Sequence, residues 1–208
     1  MRISALAVSL LSAAFVSAHT TVYGNVNNNP VGRYLSVKSG DTFTFEWYHD
    51  SRNDDIIATS HKGPVQVYIA PASSNGNGNV WVKIYSEKGS GATWGVDKLI
   101  ASHGQHSVRI PNIAAGQYLL RAEIVGKFSY FLSRSSANMI LYMSCAQIAV
   151  TSNGSALPSG VAFPGAYTPN TPGIVYNIYS GNADGYTAPG PAVSSIGAGG
   201  SISQVGNA

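Results

Sequence analysis

The stretch TFTFEW at residues 42–47 alternates polar and aromatic side chains and decides the fold class. In an extended chain its three aromatic residues fall on one side, and its two threonines and one glutamate fall on the other. The same period of two recurs at Val65, Val67 and Ile69 and again at Val80, Val82 and Ile84. Turn-forming clusters separate these segments, and no long segment has a helical period. We therefore predict an all-β fold, an antiparallel β-sandwich.

Residues 1–18 have the pattern of a secretory signal peptide. Arg2 precedes an apolar run at residues 3–16, and Val16-Ser17-Ala18 is a small-residue cleavage pattern. The apolar run is too short to span a bilayer, and no other run approaches the length of a membrane helix. We therefore expect a secreted, extracellular protein that has no membrane association and begins, when mature, at His19.

The mature chain keeps about 190 residues, which is enough for one domain. We place this domain at 19–193. Residues 157–191 are rich in proline, glycine and tyrosine, and we expect them to wrap the sandwich as a long loop with one strand near 173–179. Residues 194–208 consist mainly of serine, glycine and alanine, and this composition predicts a flexible tail.

The composition indicates a polar but weakly charged surface. Charged residues make up 10% of the chain, and the net charge is +3 at pH 7. Lysine and arginine are scattered, whereas nucleic acid binding needs a basic patch, so the composition gives no support to nucleic acid as a partner. A surface made polar by hydroxyl and amide groups suits a sugar-rich partner. We expect a monomer.

Two histidines are candidate metal ligands. The mature N-terminal residue His19 would offer both its α-amine and a ring nitrogen, and nitrogen-rich tetragonal sites favour copper. The alternative is that the cleavage site merely falls beside a histidine. His61 lies in a loop that leads directly into the strand beginning at Val65, and loops held by a rigid sheet commonly carry ligands.

The other three histidines favour structural interpretations. His49 follows the strand at residues 43–48 and is interpreted as a solvated strand end. His103 and His106 are three residues apart in a predicted turn. They form either a weak metal pair or, as we favour, part of a polar hairpin loop.

The carboxylates do not indicate a glycosidase. Glu123 follows Arg121 at the spacing of an ion pair on one sheet face, and Glu46 alternates with core aromatics. No pair of acids stands out as a general acid and a nucleophile. A serine hydrolase has less support still, because the chain lacks a Gly-x-Ser-x-Gly motif.

Two features relate to the secretory route. Cys145 is the single cysteine, which is unusual in a secreted domain, so it is either a buried free thiol or has lost its partner from this sequence. The tripeptide Asn153-Gly154-Ser155 is a glycosylation sequon, a pattern that also occurs frequently by chance.

Several longer motifs carry a family resemblance. They are HTTVYG at 19–24, SHKGPV at 60–65, YLLRAEI at 118–124, YMSCAQI at 142–148 and TPGIV at 171–175. Together they resemble the fungal copper-dependent lytic polysaccharide monooxygenases of auxiliary activity family nine. The resemblance covers nearly all of the chain from His19 to Val193.

The resemblance implies an immunoglobulin-like sandwich with one copper ion on a flat face. His19 would bind copper through its amine and ring, His61 through its ring, and Tyr142 would take the axial position. An external electron donor would reduce the copper, and oxygen or hydrogen peroxide would then serve in oxidative cleavage of cellulose or a related β-glucan. Tyr186 matches a late-loop tyrosine that stacks on sugar, although it is equally interpreted as a tyrosine packed under the proline-rich loop.

The chain departs from the family in two places. Between Pro30 and Arg33 it lacks a segment whose cysteine pairs with the position of Cys145, and loss of such a bridge typically costs ~2–5 kcal/mol. A hydrogen-bonding histidine and glutamine near the copper are replaced by Phe128 and Ile140, which predicts turnover weakened by about 10–100-fold. A mispredicted exon boundary would account for both departures. The alternative function is a non-catalytic relative that binds copper or glucan.

Overall fold

In the part of the chain that the structure describes, the regular structure consists of ten strands, one short α-helix and one 3₁₀ helix (Ala72–Ser74). The structure is a computed structural model that describes residues 34–51, 54–127, 139–179 and 181–205. The strands are β1 (Leu35–Val37), β2 (Thr42–Glu46), β3 (Val65–Pro71), β4 (Val82–Glu87), β5 (Gly89–Ser90), β6 (Thr93–Trp94), β7 (Gln105–Arg109), β8 (Gly116–Lys127), β9 (Met139–Val150) and β10 (Gly200–Ser201), and the helix is α1 (Gly95–Ala101). Among these residues no helix has the length and apolar character needed to cross a membrane.

The larger sheet has five strands in the order β1-β9-β8-β3-β4. Its neighbours are antiparallel except for β1, which runs parallel to β9. Strands β8 and β9 pair along their whole length, from Gly116 opposite Val150 to Lys127 opposite Met139. The residues of the candidate site lie at the end of this ladder where Lys127 pairs with Met139.

The smaller sheet has the order β10-β7-β2 and packs against the larger one. Between them lies an apolar core in which Phe45, Val67 and Leu120 are fully buried. The alternation at residues 42–47 therefore correctly predicts a strand with one buried face, because its aromatic side chains face the larger sheet. The β-sandwich prediction is confirmed, and among the described strands only β1 and β9 pair in parallel.

Residues 194–205, where the sequence predicts a flexible tail, include a short strand. Gly200 pairs with Val108 in β10, and the Arg109 amide donates to the Gly199 carbonyl at 2.9 Å. The edge of β7 carries backbone donors and acceptors that need partners, and the small tail residues can approach it closely. Gly200 and Ser201 thus form an edge strand of the sandwich.

The long loop at 157–191 covers the outer face of the larger sheet, as expected. Tyr167 from this loop donates to Glu123 at 2.6 Å and lies 2.9 Å, oxygen to oxygen, from Tyr68. Arg121 pairs with the same carboxylate at 2.6 Å, so the predicted Arg121–Glu123 ion pair is confirmed. Because the loop lies on it, β3 is buried on both faces along most of its length.

The expected strand near 173–179 does not form. The segment consists of turns, in which the Ile174 amide donates to the Thr171 carbonyl at 3.0 Å and Gly173 adopts a φ of 80°. Proline at 172 and a left-handed glycine after it interrupt an extended ladder.

Helix α1 was not expected from the sequence. Seven residues are too few to show a helical period, but Asp97 in its first turn accepts the Trp94 amide at 2.9 Å. This cap satisfies one of the amides that a helix start leaves unpaired. The same carboxylate accepts a hydrogen bond from Lys62 Nζ at 2.5 Å, which ties α1 to the loop that carries His61.

Candidate metal centre

His61 is held at the end of β8 by its own loop. The His61 amide donates to the Ala58 carbonyl at 3.0 Å. The next residue, Lys62, exchanges two backbone hydrogen bonds with Lys127, at 2.9 and 2.8 Å. The sequence folds this way because Gly63, with a φ of 154°, lies so close to the Val125 carbonyl that a side chain would not fit. His61 is therefore positioned by backbone contacts on both sides.

Tyr142 lies near the start of β9 and faces His61. It pairs with Ile124 of β8 and is almost fully buried. Its Oη lies 3.4 Å from His61 Nε2, and the two rings meet edge to face with centroids 5.9 Å apart. Two residues 81 positions apart in the chain thus direct their donor atoms to one locus.

Gly126 lies between the rings of His61 and Tyr142. A β-carbon at this position would lie 2.8 Å from His61 Cδ2 and 3.2 Å from Tyr142 Cε2. Both distances are shorter than ordinary van der Waals contact, so the rings approach each other only because residue 126 has no side chain. The motif-based prediction missed this residue, because only its contacts in the folded structure show its role.

The environment favours the neutral forms of both rings. Burial lowers the pKa of His61 below its ordinary value, and a nearby His49 acts in the same direction. Burial raises the pKa of Tyr142. At neutral pH the pair therefore consists of an imidazole and a phenol rather than two ions.

The donor set fits a transition metal. His61 Nδ1 lies 3.3 Å from the Ala58 carbonyl, an acceptor that fixes the ring proton on Nδ1 and leaves Nε2 as the ligand atom. Neutral imidazole nitrogen is a common ligand for copper, and Tyr142 supplies a further oxygen beside it. The residues present therefore suit the copper that the sequence predicts, while His19 lies outside the described residues.

Ile140 is two residues before Tyr142 on β9 and is buried, with 5% of its surface exposed. Alternate strand residues share a face, so Ile140 and Tyr142 point the same way. An isoleucine offers no hydrogen bond where the family resemblance expects a glutamine. Phe128, the other altered position, lies outside the described residues.

The structure places Tyr186 inside the molecule, so the surface-stacking role expected for it is wrong. Its ring is 2% exposed and packs between Trp94 and Tyr176, with centroid distances of 5.3 and 5.1 Å. Its hydroxyl donates to the Gly173 carbonyl at 3.0 Å. This is the alternative interpretation, a tyrosine packed under the proline-rich loop. The exposed tyrosine of the same loop is Tyr179, at 69%.

The loop after β2 lies beside the centre. His49 Nδ1 is 2.5 Å from Asp55 Oδ1, and the ligand atoms of these two residues and Asp54 lie within 4.8 Å of one another. Each Asp54 oxygen accepts two backbone amides, from His49 and Ile56 and from Asp50 and Ser51. Although burial opposes it, these donors hold the pKa of Asp54 well below its ordinary range. The cluster is explained by the folding of this loop.

His103 and His106 do not form a pair. His103 lies in an exposed turn with a φ of 52°. His106 lies in β7 and is fully buried, stacked on Phe45 with centroids 5.0 Å apart, so the prediction that both belong to a polar loop is wrong for His106. Strand β7 begins at Gln105, directly after the turn, so His106 lies in the strand although the surrounding sequence is polar.

Comparison with known proteins identifies the family of the chain. Residues 11–187 match the model of Auxiliary Activity family 9 (formerly GH61). An AA9 family lytic polysaccharide monooxygenase A of Armillaria gallica is 56% identical over 190 residues, covering 88% of this chain and 76% of that protein. One of Phanerochaete carnosa is 51% identical over 187 residues, covering 88% and 70%. The solved structure of CvAA9A is 36% identical with a TM-score of 0.71, covering 80% of this chain and 78% of that one.

The two-sheet sandwich, with a histidine–tyrosine pair at one end, defines a β-sandwich protein with a candidate metal centre. The chain belongs to Auxiliary Activity family 9. Its relatives in this family are lytic polysaccharide monooxygenases, and membership supports a copper-dependent oxidoreductase that acts on polysaccharide.

Proposed function

We propose that the protein is a secreted lytic monooxygenase that holds one copper ion through His19, His61 and Tyr142 and cleaves the β-1,4-glucosidic bonds of cellulose. The observation that carries the proposal is the convergence of His61 Nε2 and Tyr142 Oη, 3.4 Å apart above Gly126. Family membership supplies the class of reaction.

The proposal requires that the mature amino terminus reach the centre, and the chain length permits this. Leu35 pairs with Ile148, which is six residues from Tyr142 along β9, or about 20 Å. The sixteen residue steps from His19 to Leu35 can span about 50 Å. The length therefore allows the α-amine and imidazole of His19 to join the two described ligands.

Each described residue has a distinct task. His61 presents Nε2 in a fixed orientation because its Nδ1 faces the Ala58 carbonyl. Tyr142 would offer its phenol oxygen to the same ion, and its burial would limit the access of water on that side. Copper, when bound by such neutral donors, supplies one-electron chemistry with oxygen or peroxide, fed by an external reductant.

The neighbouring surface supports a polymeric sugar substrate. Lys127, next to Gly126, donates to the Ile174 carbonyl at 2.5 Å, so the loop segment following Ile174 belongs to the same end of the sandwich. Within it Val175 and Tyr179 are 68% and 69% exposed. Exposed aromatic rings stack on the apolar faces of sugars, and the low charge of this chain suits a neutral polymer.

The enzyme activity can be tested with the copper-loaded mature protein. Incubation with cellulose and ascorbate should release oxidised oligosaccharides, and the copper paramagnetic resonance spectrum should report nitrogen ligands. His61→Ala should abolish both the spectrum and the products. His103→Asn is the matched control, because it removes an exposed histidine from a turn whose positive φ asparagine tolerates. Unoxidised sugars released without reductant would instead indicate a hydrolase.

The role of His19 needs its own variant. Protein that keeps one additional residue before His19 loses the free α-amine at that position and should bind copper at least tenfold more weakly. Equal affinity of the extended and mature proteins would contradict the proposed ligand set.

A second candidate function is supported by Ile140. With a buried apolar side chain in place of a hydrogen-bonding one, turnover should be impaired, and the limiting case is a relative that binds copper or glucan without catalysis. Tight copper binding with no oxidised product would favour this second function. Ile140→Gln should raise the yield of oxidised product if the side chain is the cause.

A further inference from the structure

The sequon Asn153-Gly154-Ser155 follows β9 at the end of the sandwich opposite the candidate centre. Strand β9 ends at Val150, and the ladder from Tyr142 to Val150 spans about 27 Å. A group attached at Asn153 would therefore not obstruct a polymer lying across Tyr142 and His61. This is the only Asn-x-Ser/Thr sequon in the sequence, proline at x excluded.

The local backbone presents the asparagine outward. Ser155 donates its amide to the Asn112 carbonyl at 3.2 Å and accepts the Ala114 amide at 2.8 Å. Gly154 lies so close to Asn112 that a β-carbon would fall 2.6 Å from its carbonyl carbon. The middle of the tripeptide is therefore packed against the loop before β8, while Asn153 and the Ser155 side chain are on the exposed side.

No structural task in the described part of the chain occupies the Asn153 side chain. Its exposed amide makes no hydrogen bond with any described residue, whereas the neighbouring Ser152 hydroxyl contacts Ser39 at 2.7 Å. An asparagine in a turn commonly bonds its own backbone, and Asn153 does not. The sequon therefore combines the required tripeptide, an accessible amide and a position away from the site.

We propose that Asn153 carries an N-linked glycan, an inference that rests on the secretion included in the proposed function. Transfer joins Asn153 Nδ2 to the anomeric carbon of a lipid-pyrophosphate-linked oligosaccharide. The bond from that carbon to the phosphate oxygen breaks, the lipid pyrophosphate leaves with the electron pair, and the amide loses one proton. The glycan adds a bulky hydrated group to a chain in which charged residues are scarce.

The test is expression of the full chain in a fungal secretory host, with the intact mass measured before and after peptide N-glycosidase. The secreted protein should carry additional mass that the glycosidase removes, leaving aspartate at position 153. Asn153→Gln and Ser155→Ala should each remove that mass. Ser155→Thr keeps the sequon and should retain it, which separates loss of the glycan from misfolding.

Two results would overturn the inference, and they differ in their meaning for the proposed function. Secreted protein with a processed amino terminus at His19 and no glycan contradicts the glycosylation alone. Protein retained in the cells with residues 1–18 attached and no glycan contradicts the secretion as well.

Discussion

At the scale of single residues, the candidate centre depends on a position without a side chain. His61 and Tyr142 approach within 3.4 Å because Gly126 leaves room for both rings. Gly126→Val would push the imidazole away from Tyr142, and we expect copper affinity to fall by at least tenfold, as for other losses of support behind a metal ligand. Titration calorimetry with Cu(II) measures the change.

A matched variant separates this effect from general strain in the ladder. Ser144→Val introduces the same side chain on β9, at a partly exposed position paired with Ala122. It should leave copper affinity unchanged. If Gly126→Val also binds copper normally, the close approach at Gly126 is not what aligns the ligands.

A second residue, His106, gives the fold a dependence on pH. Trp47 Nε1 donates to His106 Nδ1 at 3.1 Å, so the proton is on Nε2, which has no hydrogen-bond partner among the described residues. Burial lowers the pKa of His106 to about 3. The ordinary pKa of a histidine is about 6.5. When the pH falls below this value, His106 binds a proton in the unfolded chain but not in the folded chain, so the free energy of unfolding falls as the pH drops.

Urea unfolding at two pH values tests this linkage. Between pH 6.5 and 4.5 the free energy of unfolding of the wild type should fall by about 2 kcal/mol more than that of His106→Phe, which keeps a ring against Phe45 but cannot titrate. His103→Asn should follow the wild type, because it leaves His106 in place. Parallel curves for the wild type and His106→Phe would show that His106 does not cause the dependence.

The sequence identifies the two described residues of the candidate centre, His61 and Tyr142, but not their surroundings. His61 lies in a motif of the loop before β3, so its position and the resemblance both select it, whereas Tyr142 on β9 is selected by the resemblance alone. Gly126 could not be predicted, because its role arises from contacts with residues 65 and 16 positions away. Tyr186 was assigned to the surface because a motif states residue type, whereas burial is decided by how Trp94 and Tyr176 close around the ring.

At the scale of secondary-structure elements, short segments were the hardest to predict. Strand β10 has two residues of low β-propensity, and it forms because β7 offers an open edge. Helix α1 forms through its cap at Asp97. Strand β10 thus depends on a tertiary partner, and the capping residue of α1 also bonds Lys62 from a distant loop. By contrast, β2, β3, β8 and β9 carry enough alternating apolar residues to be predicted from the local sequence.

Strand β10 makes a testable contribution to stability. Truncation after Ala198 removes the Gly199 carbonyl that accepts from Arg109, the pairing of β10 with β7, and the Val205 amide that donates to Gln105 at 2.5 Å. At ~1 kcal/mol for each hydrogen bond, the free energy of unfolding should fall by about 2–3 kcal/mol. Truncation after Val205 is the control and should unfold like the full chain. Equal stability of both truncated forms would restore the flexible-tail interpretation.

At the scale of the whole molecule, a buried polar network holds the long loop to the larger sheet. Tyr167 donates to Glu123, a fully buried carboxylate that also accepts from Arg121. Tyr167→Phe would leave this charge short of one partner, and we expect a loss of about 2–3 kcal/mol in the free energy of unfolding. Thermal and urea unfolding measure it.

Tyr179→Phe provides the comparison within the same loop. It removes a hydroxyl from a ring that is 69% exposed and should change stability by less than about 0.5 kcal/mol. If the two variants unfold alike, the network does not fasten the loop.

The full pairing of β8 with β9 has a consequence for how the protein loses activity on heating. Amides at the centre of β8 are covered by a neighbouring strand on either side, so they should be the last to exchange with deuterated solvent. Tyr142 pairs with Ile124 at the edge of this doubly covered stretch, whereas Tyr179 is on a covering loop that can detach first. A partly unfolded preparation should therefore lose the loop that carries Tyr179 before it loses the strand pairing that positions Tyr142.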